Sequence, residues 1–328
     1  MLSHDPYDEY EDFEDYDDFG ADTRSARVRR KTRLEDDPQP QRSGRLTQDA
    51  RDRLADQRED AVTAEIDLPG TAYRWSTWGT GELGPHPWPD WLVTELAAVD
   101  TELGVLKTGK EADVHLIERG IPDGARSCLM ASKRYRSNEH RMFHRDAGYL
   151  EGRRVRESRQ MRAMTNRTAF GRNLLAEQWS TAEFAALSRL WSLGAPVPYP
   201  IQRSGTELLL EFLDDGDGGA APRLAQLRPA ADELTELWHQ LTAALELMAT
   251  EGLTHGDLSA YNVLVHNGHL MLIDLPQVVD VVANPRGPEF LARDVANIAG
   301  WFAARGLPDR LADPNTLTEH LLYTAGME

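Results

Sequence analysis

The sequence contains 328 residues, of which 41% are hydrophobic, and it carries a formal net charge of −18. This length allows about two domains with a sizeable core, and the acidic charge argues against passive binding to nucleic acid. The single cysteine, Cys128, excludes an intramolecular disulfide and a cysteine-based zinc site, which fits a reducing cytoplasm. No apolar run reaches about 18 residues and the N-terminus is acidic, so neither a transmembrane helix nor a signal peptide is predicted, and no membrane partner is expected.

Residues 1–65 are predicted to form a disordered, charged tail. Residues 1–20 hold nine acidic residues and neither Lys nor Arg, and such a block repels itself and buries little surface. Residues 66–100 are rich in Trp, Gly and Pro, which predicts an irregular leading segment. Within it, "WPDWLVTELAAVD" (88–100) indicates a helix.

The part from 101 to 214 is predicted to be rich in strands. "ELGVLKTGKEADVHLIER" (102–119) predicts strand–turn–strand with Gly109 in the turn, and "SCLMASKRYR" (127–136) predicts a further strand. "STAEFAALSRLWSLG" (180–194) has apolar residues at helical spacing, and "TELLLEFL" (206–213) predicts another strand. Together these elements indicate a small sheet-based lobe.

The part from 215 to 328 is predicted to be mainly helical. "PAADELTELWHQLTAALELMATEGL" (229–253) shows a continuous apolar face, and "PEFLARDVANIAGWFAARGL" (288–307) predicts a second helix. Between them, Asn267-Gly268 is a strong signal for a β-hairpin. The predicted fold is therefore α+β and two-lobed, with a β-rich N-terminal lobe and a reduced helical C-terminal lobe joined near "DDGDGG" (214–219).

Three polar residues around this hairpin indicate chemistry. Asp257 and Asn262 lie in one loop, and the hairpin folds Asp274 back towards them. Phosphoryl transfer needs a carboxylate beside the attacking hydroxyl and oxygen ligands for Mg²⁺. Each Asp alone would be an ordinary turn or strand-end residue, but the three together predict a site. Asp257 would orient the hydroxyl, and Asn262 and Asp274 would hold Mg²⁺ or Mn²⁺.

Four motifs in order resemble those of the RIO family of atypical serine/threonine protein kinases, within the protein kinase-like superfamily. They are "KTGKEADVH" (107–115), "HGDLSAYNVL" (255–264), "IDLPQVVD" (273–280) and "PEFLARDVANI" (288–298). The resemblance covers about residues 100 to 305 and implies the two-lobed kinase fold with ATP as substrate. Ser259 and Leu275-Pro276 are typical of this family rather than of kinases in general.

The resemblance also implies the nucleotide site. The loop that covers the phosphates would comprise Thr108, Gly109, Lys110 and Glu111, in place of a complete G-x-G-x-x-G motif. Lys133 would reach the α- and β-phosphates, and its acidic partner would be Glu183, with Glu177 as the alternative. Glu211 and Leu213 fall where a hinge presents backbone groups to adenine. His255 would support the geometry of the loop.

Residues 132–172 are strongly basic, with twelve Lys or Arg and four Asp or Glu. The resemblance implies a flexible loop at 137–172, where autophosphorylation can occur. This loop is interpreted in three ways: as a solvated loop, as a surface for RNA or ribosomal phosphates, or as a partner of the acidic tail that dampens activity.

The sequence therefore predicts a cytoplasmic, ATP-dependent serine/threonine kinase whose protein substrate is unknown and includes at minimum the chain itself. Three alternatives remain open. They are an ATPase switch that acts on a ribosomal or RNA particle, a small-molecule kinase of the aminoglycoside phosphotransferase type, and a nucleotide-binding adaptor without activity. The short C-terminal lobe and the "KTGKEAD" loop argue against the second, and the retention of Lys133, Asp257, Asn262 and Asp274 argues against the third.

Overall fold

The computed structural model describes residues 74–122, 124, 126–136, 169–308 and 310–327, all within one compact unit, Ser43–Glu328. The expected tail (1–65) and most of the basic loop (137–168) lie outside the described residues, as do the hydroxyl groups of that loop. Among the described residues, no helix is long and apolar enough to cross a membrane.

A seven-stranded antiparallel sheet forms the N-terminal part, in the order β1-β3-β4-β5-β7-β6-β2. Its strands are β1 (Arg74–Trp75), β2 (Glu82–Leu83), β3 (Val99–Thr108), β4 (Ala112–Gly120), β5 (Ser127–Tyr135), β6 (Pro200–Ser204) and β7 (Glu207–Glu211). The predicted β3–turn–β4 hairpin is confirmed, and the N–H of Gly109 closes the turn by donating to the carbonyl of Ala112 at 3.0 Å.

Helices and two short pairs of strands form the remainder. The helices are α1 (Ala169–Ser192), α2 (Ala231–Thr250), α3 (Gly287–Ala303) and α4 (Pro314–Thr324), and a 3₁₀ turn spans Leu224–Gln226. The remaining strands are β8 (Leu253–Thr254), β9 (Val263–His266), β10 (His269–Leu272) and β11 (Val279–Asp280). β9 pairs with β10 and β8 with β11, both antiparallel. The α+β architecture predicted from the sequence is confirmed.

Two apolar clusters stabilise these layers. The larger one contains residues of α1, α2 and α3, including Phe184, Leu241 and Phe302. These pack with residues on one face of the sheet. The smaller one packs Trp78 and Val93 of the leading segment against the other face of the sheet. Burial of such side chains contributes roughly 1.5–3 kcal/mol each, so both faces of the sheet are covered.

The leading segment corrects one prediction. No helix forms in residues 88–98, where the chain makes turns before β3 begins at Val99. Leu92 and Val93 are buried in the smaller cluster, and the N–H of Val93 approaches Cys128 Sγ at 3.5 Å. Leu92 and Val93 face the sheet instead of one side of a helix, because packing outweighs a weak local preference.

Two helical boundaries also differ from those predicted. α1 begins at Ala169, before the predicted start at 180, so it includes the end of the segment that was predicted to be a loop. α4 was not predicted. Its N-cap is Asp313, whose carboxylate accepts hydrogen bonds from the N–H groups of Asn315 and Thr316, and Pro314 occupies its first turn.

Candidate active site

Lys133 lies at the centre of the candidate site, near the end of β5. Its ammonium is 2.7 Å from Glu183 Oε1 and 2.7 Å from Asp274 Oδ1. Burial opposes the charge of Lys133, but the two carboxylates outweigh it and raise its pKa. The side chain is therefore a permanent cation that holds α1 and the segment after β10 together.

Glu183 rather than Glu177 reaches Lys133. Glu183 is 1% exposed, whereas Glu177 is an exposed residue six positions earlier in α1. The second oxygen of Glu183 accepts a hydrogen bond from the hydroxyl of Tyr135, and its first also accepts one from the N–H of Leu275 at 3.1 Å. Burial and the Glu183 charge raise the pKa of Tyr135 well above its usual value, so its hydroxyl remains a donor.

The β9–β10 hairpin positions Asp274. Asn267 and Gly268 both have positive φ values, 51° and 78°, as a tight two-residue hairpin requires. Just beyond the hairpin, the N–H of Ile273 donates to the carbonyl of Asn262 at 3.0 Å. This bond places Asp274 beside the Asp257–Asn262 loop. The predicted hairpin is confirmed.

Asp274 adopts a strained backbone conformation and carries a strongly acidic carboxyl. Its φ is 67°, which is uncommon for any residue except glycine. The Lys133 ammonium lowers the pKa of Asp274 to about 2, against the opposing effect of burial, and Lys107 adds to the lowering. The carboxylate is therefore ionised at every physiological pH.

His255 links this segment to the loop that carries Asp257. The N–H of Asp257 can only donate, so His255 Nδ1 accepts from it at 3.4 Å, and His255 Nε2 donates to the carbonyl of Ile273 at 3.1 Å. Both ring nitrogens are used within the protein, which agrees with the supporting role predicted for His255.

Asp294, in the middle of α3, holds the same loop from below. This fully buried carboxylate accepts hydrogen bonds from the hydroxyl of Thr254 at 2.9 Å and from the N–H groups of Gly256 at 2.6 Å and Leu258 at 3.1 Å. Gly256 has a φ of 83°, and a Cβ there would lie 2.0 Å from the carbonyl oxygen of Gln277. These contacts therefore restrict the backbone conformation of the loop that carries Asp257.

Asn262 and Asp274 suit a magnesium ion. The side-chain N–H of Asn262 donates to the carbonyl of Asp257 at 2.9 Å, which leaves its amide oxygen as a ligand. Across the described ranges there is no cluster of three or more His, Cys, Asp or Glu that could hold a metal ion. One carboxylate and one amide are nevertheless a normal protein contribution to Mg²⁺, which takes its other ligands from phosphates and water.

The residues predicted to cover the phosphates lie in the β3–β4 turn, and the predicted hinge residues lie at and just after the end of β7. Thr108–Glu111 connects β3 to β4, although the N–H of Gly109 is occupied by Ala112 in this conformation. In the hinge, the carboxylate of Glu211 accepts a hydrogen bond from the N–H of Tyr199 at 2.9 Å, and the carbonyl of Leu213 accepts one from Ala221 at 2.8 Å.

Sequence reasoning missed Tyr135 and Asp294 as parts of the site. Tyr135 follows Lys133 by two residues in a strand, so both side chains project from one face. Asp294 is a charged residue among the core positions of α3, with Leu291 and Val295 buried beside it. A carboxylate at an apolar helical position was the available signal, since such a group is buried only when it has partners.

Comparisons with known proteins found similar sequences and structures. The profile of the RIO domain family matches residues 129–315. A RIO-type serine/threonine-protein kinase Rio1 from Haloferax volcanii is 33% identical over 229 residues, which are 70% of this chain and 71% of the relative. The serine/threonine-protein kinase RIO1 of Saccharomyces cerevisiae is 29% identical over 241 residues, and the match spans 66% of this chain but only 48% of the yeast protein.

Among solved structures, a Rio2 kinase from Chaetomium thermophilum, described as an ADP/Mg²⁺-phosphoaspartate complex, is similar. The TM-score is 0.46 at 22% identity, and the match covers 68% of this chain and 65% of that one.

Proposed function

The chain belongs to the RIO domain family, and on this premise we propose that it is an ATP-dependent serine/threonine protein kinase that acts through the site around Lys133 and Asp274. The observation that carries this proposal is the ammonium of Lys133, held at 2.7 Å from both Glu183 and Asp274. Three separate parts of the sequence thereby meet at one point, and Ile273, the residue before Asp274, donates a backbone hydrogen bond to the carbonyl of Asn262 in the loop that carries Asp257.

Each residue has a distinct role in transferring the γ-phosphoryl group. Asp257 accepts a hydrogen bond from the Ser or Thr hydroxyl of the substrate and orients its oxygen towards the phosphorus. Lys133 neutralises charge on the α- and β-phosphates, while Glu183 holds Lys133 in place. Mg²⁺ or Mn²⁺, bound by Asn262 and Asp274, would neutralise phosphate charge. The Thr108–Glu111 loop covers the phosphates, and backbone groups of Glu211 and Leu213 position adenine.

Several finer statements belong to the same proposal. The chain itself is one protein substrate, the basic segment 132–172 contacts RNA or a ribosomal particle, and the protein acts in the cytoplasm. Support comes from the twelve basic residues of that segment and from the single cysteine. The proposed division is a tail (1–65), a leading segment (66–100), an N-terminal lobe (101–214) and a C-terminal lobe (215–328).

Incubation with γ-labelled ATP and Mg²⁺ tests the activity. We expect label on the wild-type protein, and none on Asp257→Ala or Asp274→Ala. Asp232→Ala, an exposed aspartate in the first turn of α2, serves as the control and should label normally. Released phosphate without protein label would favour an ATPase, and ATP binding without either product would favour an adaptor. Either result would contradict the proposed kinase activity.

A further inference from the structure

Lys107, the first residue of the motif "KTGKEADVH", projects from the same face of the sheet as Lys133. In the sheet, Lys107 pairs with Val114, and Val114 pairs with Lys133. Directly paired residues on antiparallel strands project from the same face. Lys107 and Lys133 therefore project from the same face of the sheet, two strands and roughly 10 Å apart.

Arg223 lies beside the loop that carries Asp257 and Asn262. It precedes the 3₁₀ turn, forms an isolated β-bridge with Leu264, and its N–H donates to the side chain of Gln226 at 2.9 Å. These contacts fix its backbone, and its guanidinium donates a hydrogen bond to the carbonyl of Tyr261. A cation thus stands beside Asn262, in the loop that carries Asp257.

Within the described ranges, neither Lys107 nor Arg223 has a carboxylate within the 4.0 Å of a salt bridge. Burial lowers the pKa of Lys107 and the neighbouring Arg223 charge lowers it further, while Asp274 opposes both effects. Asp274 forms its ion pair with Lys133, and the charges of Lys107 and Arg223 lie close enough to interact.

The carboxylates beside Lys133 outnumber its single ammonium. One ammonium there is shared by two carboxylates, Glu183 and Asp274. Without a metal ion at Asp274, a polyphosphate that approached this group alone would meet a net negative charge. Charge-assisted hydrogen bonds from ammonium and guanidinium groups are the strong contacts that phosphates favour.

We propose that Lys107, from the sheet, and Arg223, from the C-terminal part, bind the phosphate chain of a nucleoside triphosphate between them. Affinity should then rise with the number of phosphates. This inference rests on the proposed ATP-dependent activity and deepens it, because it assigns nucleotide discrimination to two residues that have no role in the proposed transfer step. Arg223 belongs to the C-terminal part and Lys107 to the sheet, so a bound phosphate chain would also hold the two parts together.

Isothermal titration of the full chain with adenosine, ADP, ATP and inorganic triphosphate tests the proposal, with and without Mg²⁺. We expect Lys107→Gln and Arg223→Gln each to weaken ATP binding by about tenfold, which is the loss of one charge-assisted contact. Adenosine binding should not change, ADP should show a smaller loss, and inorganic triphosphate should follow ATP. Raising the salt concentration should reduce the difference from wild type.

Two further variants separate a phosphate contact from a structural role. Arg223→Lys keeps the charge and should recover most of the ATP affinity. Arg310→Gln, an exposed arginine between α3 and α4, makes the same change in net charge and should bind every ligand like wild type. Thermal unfolding of each variant accompanies the titrations.

Contrary results differ for the two levels of the argument. Equal losses for adenosine and ATP, or unchanged ATP binding in the double variant, would overturn the inference and leave the kinase proposal standing. Failure of the wild-type protein to bind ATP at all would overturn both. Tight binding of inorganic triphosphate by the double variant would place the anion site elsewhere.

Discussion

Glu183 and Leu275 are 92 positions apart in the chain, yet the N–H of Leu275 donates a hydrogen bond of 3.1 Å to Glu183 Oε1. The same oxygen accepts the ammonium of Lys133 at 2.7 Å. One buried carboxylate therefore fixes the position of the sheet and of the segment after Asp274 at once. Any change at Glu183 should affect both.

Glu183→Gln tests this double role. The amide oxygen can still accept one hydrogen bond, but the loss of charge leaves Lys133 paired with Asp274 alone. We expect the free energy of unfolding to fall by about 1–3 kcal/mol and phosphoryl transfer to drop about a hundredfold or more. Urea unfolding and labelled-ATP assays measure the two effects. Glu177→Gln, an exposed residue of the same helix, should be close to wild type, and equal effects at the two positions would refute the assignment.

Tyr135→Phe removes only the hydroxyl that donates to Glu183. The ring keeps its place near the Lys133 ammonium, 5.1 Å from the ring centroid. Loss of one hydrogen bond to a buried charged acceptor should cost about 1.5–3 kcal/mol of stability. Chemical denaturation of this variant beside Tyr323→Phe, whose tyrosine is 78% exposed, measures the effect. Indistinguishable denaturation midpoints would show that the hydroxyl does not stabilise the site.

Asp294→Asn should disrupt the loop that carries Asp257. The carboxylate accepts three hydrogen bonds, and an amide of the same shape would turn a donor towards at least one N–H or O–H group. We expect a loss of about 3 kcal/mol of stability together with a reduced kcat. Glu289→Gln, exposed on the same helix, is the control. A stable variant with wild-type kcat would exclude a positioning role for Asp294.

Two glycines in similar conformations give a matched steric test. Gly256 and Gly268 have φ values of 83° and 78°, but a Cβ would lie 2.0 Å from Gln277 O at the first and meets nothing within 4 Å at the second. Gly268→Ala should cost about 1–2 kcal/mol from backbone strain alone. Gly256→Ala should cost more and lower activity, because the loop must move. Thermal unfolding measures both, and equal costs would contradict the clash.

The pH dependence of stability should report the pair of Asp274 and Lys133. The pKa of Asp274 is lowered from 3.8 to about 2, so its contribution is complete above pH 3.8 and disappears as the pH falls through 2. The difference in unfolding free energy between wild type and Asp274→Asn should therefore be constant near neutral pH and shrink only below pH 3.8. The pKa of Lys133 is raised, so no loss from it is expected up to its ordinary value of 10.5. Urea titrations over this acid range measure the difference, and a constant difference down to pH 2 would count against the pair.

Local patterns in the chain predicted the parts that depend on near neighbours. The hairpin at Asn267-Gly268 follows from turn chemistry, and α2 follows from its apolar face. The prediction of a helix at 88–100 was wrong because Leu92 and Val93 pack against the sheet. α4 was missed although its capping signals, Asp313 and Pro314, are present in the sequence.

The sequence alone determined the family resemblance, the α+β class and the identity of the polar residues, since each rests on residue types at short spacing. Only the tertiary structure decided their partners. Glu183 rather than Glu177 pairs with Lys133, and Tyr135 and Asp294 donate or accept hydrogen bonds within the site. Lys107 and Arg223 lie close enough for their charges to interact. The physical reason is that buried charges must be paired, and the pairs join residues tens to more than a hundred positions apart, such as Lys133 and Asp274, a distance of 141 positions.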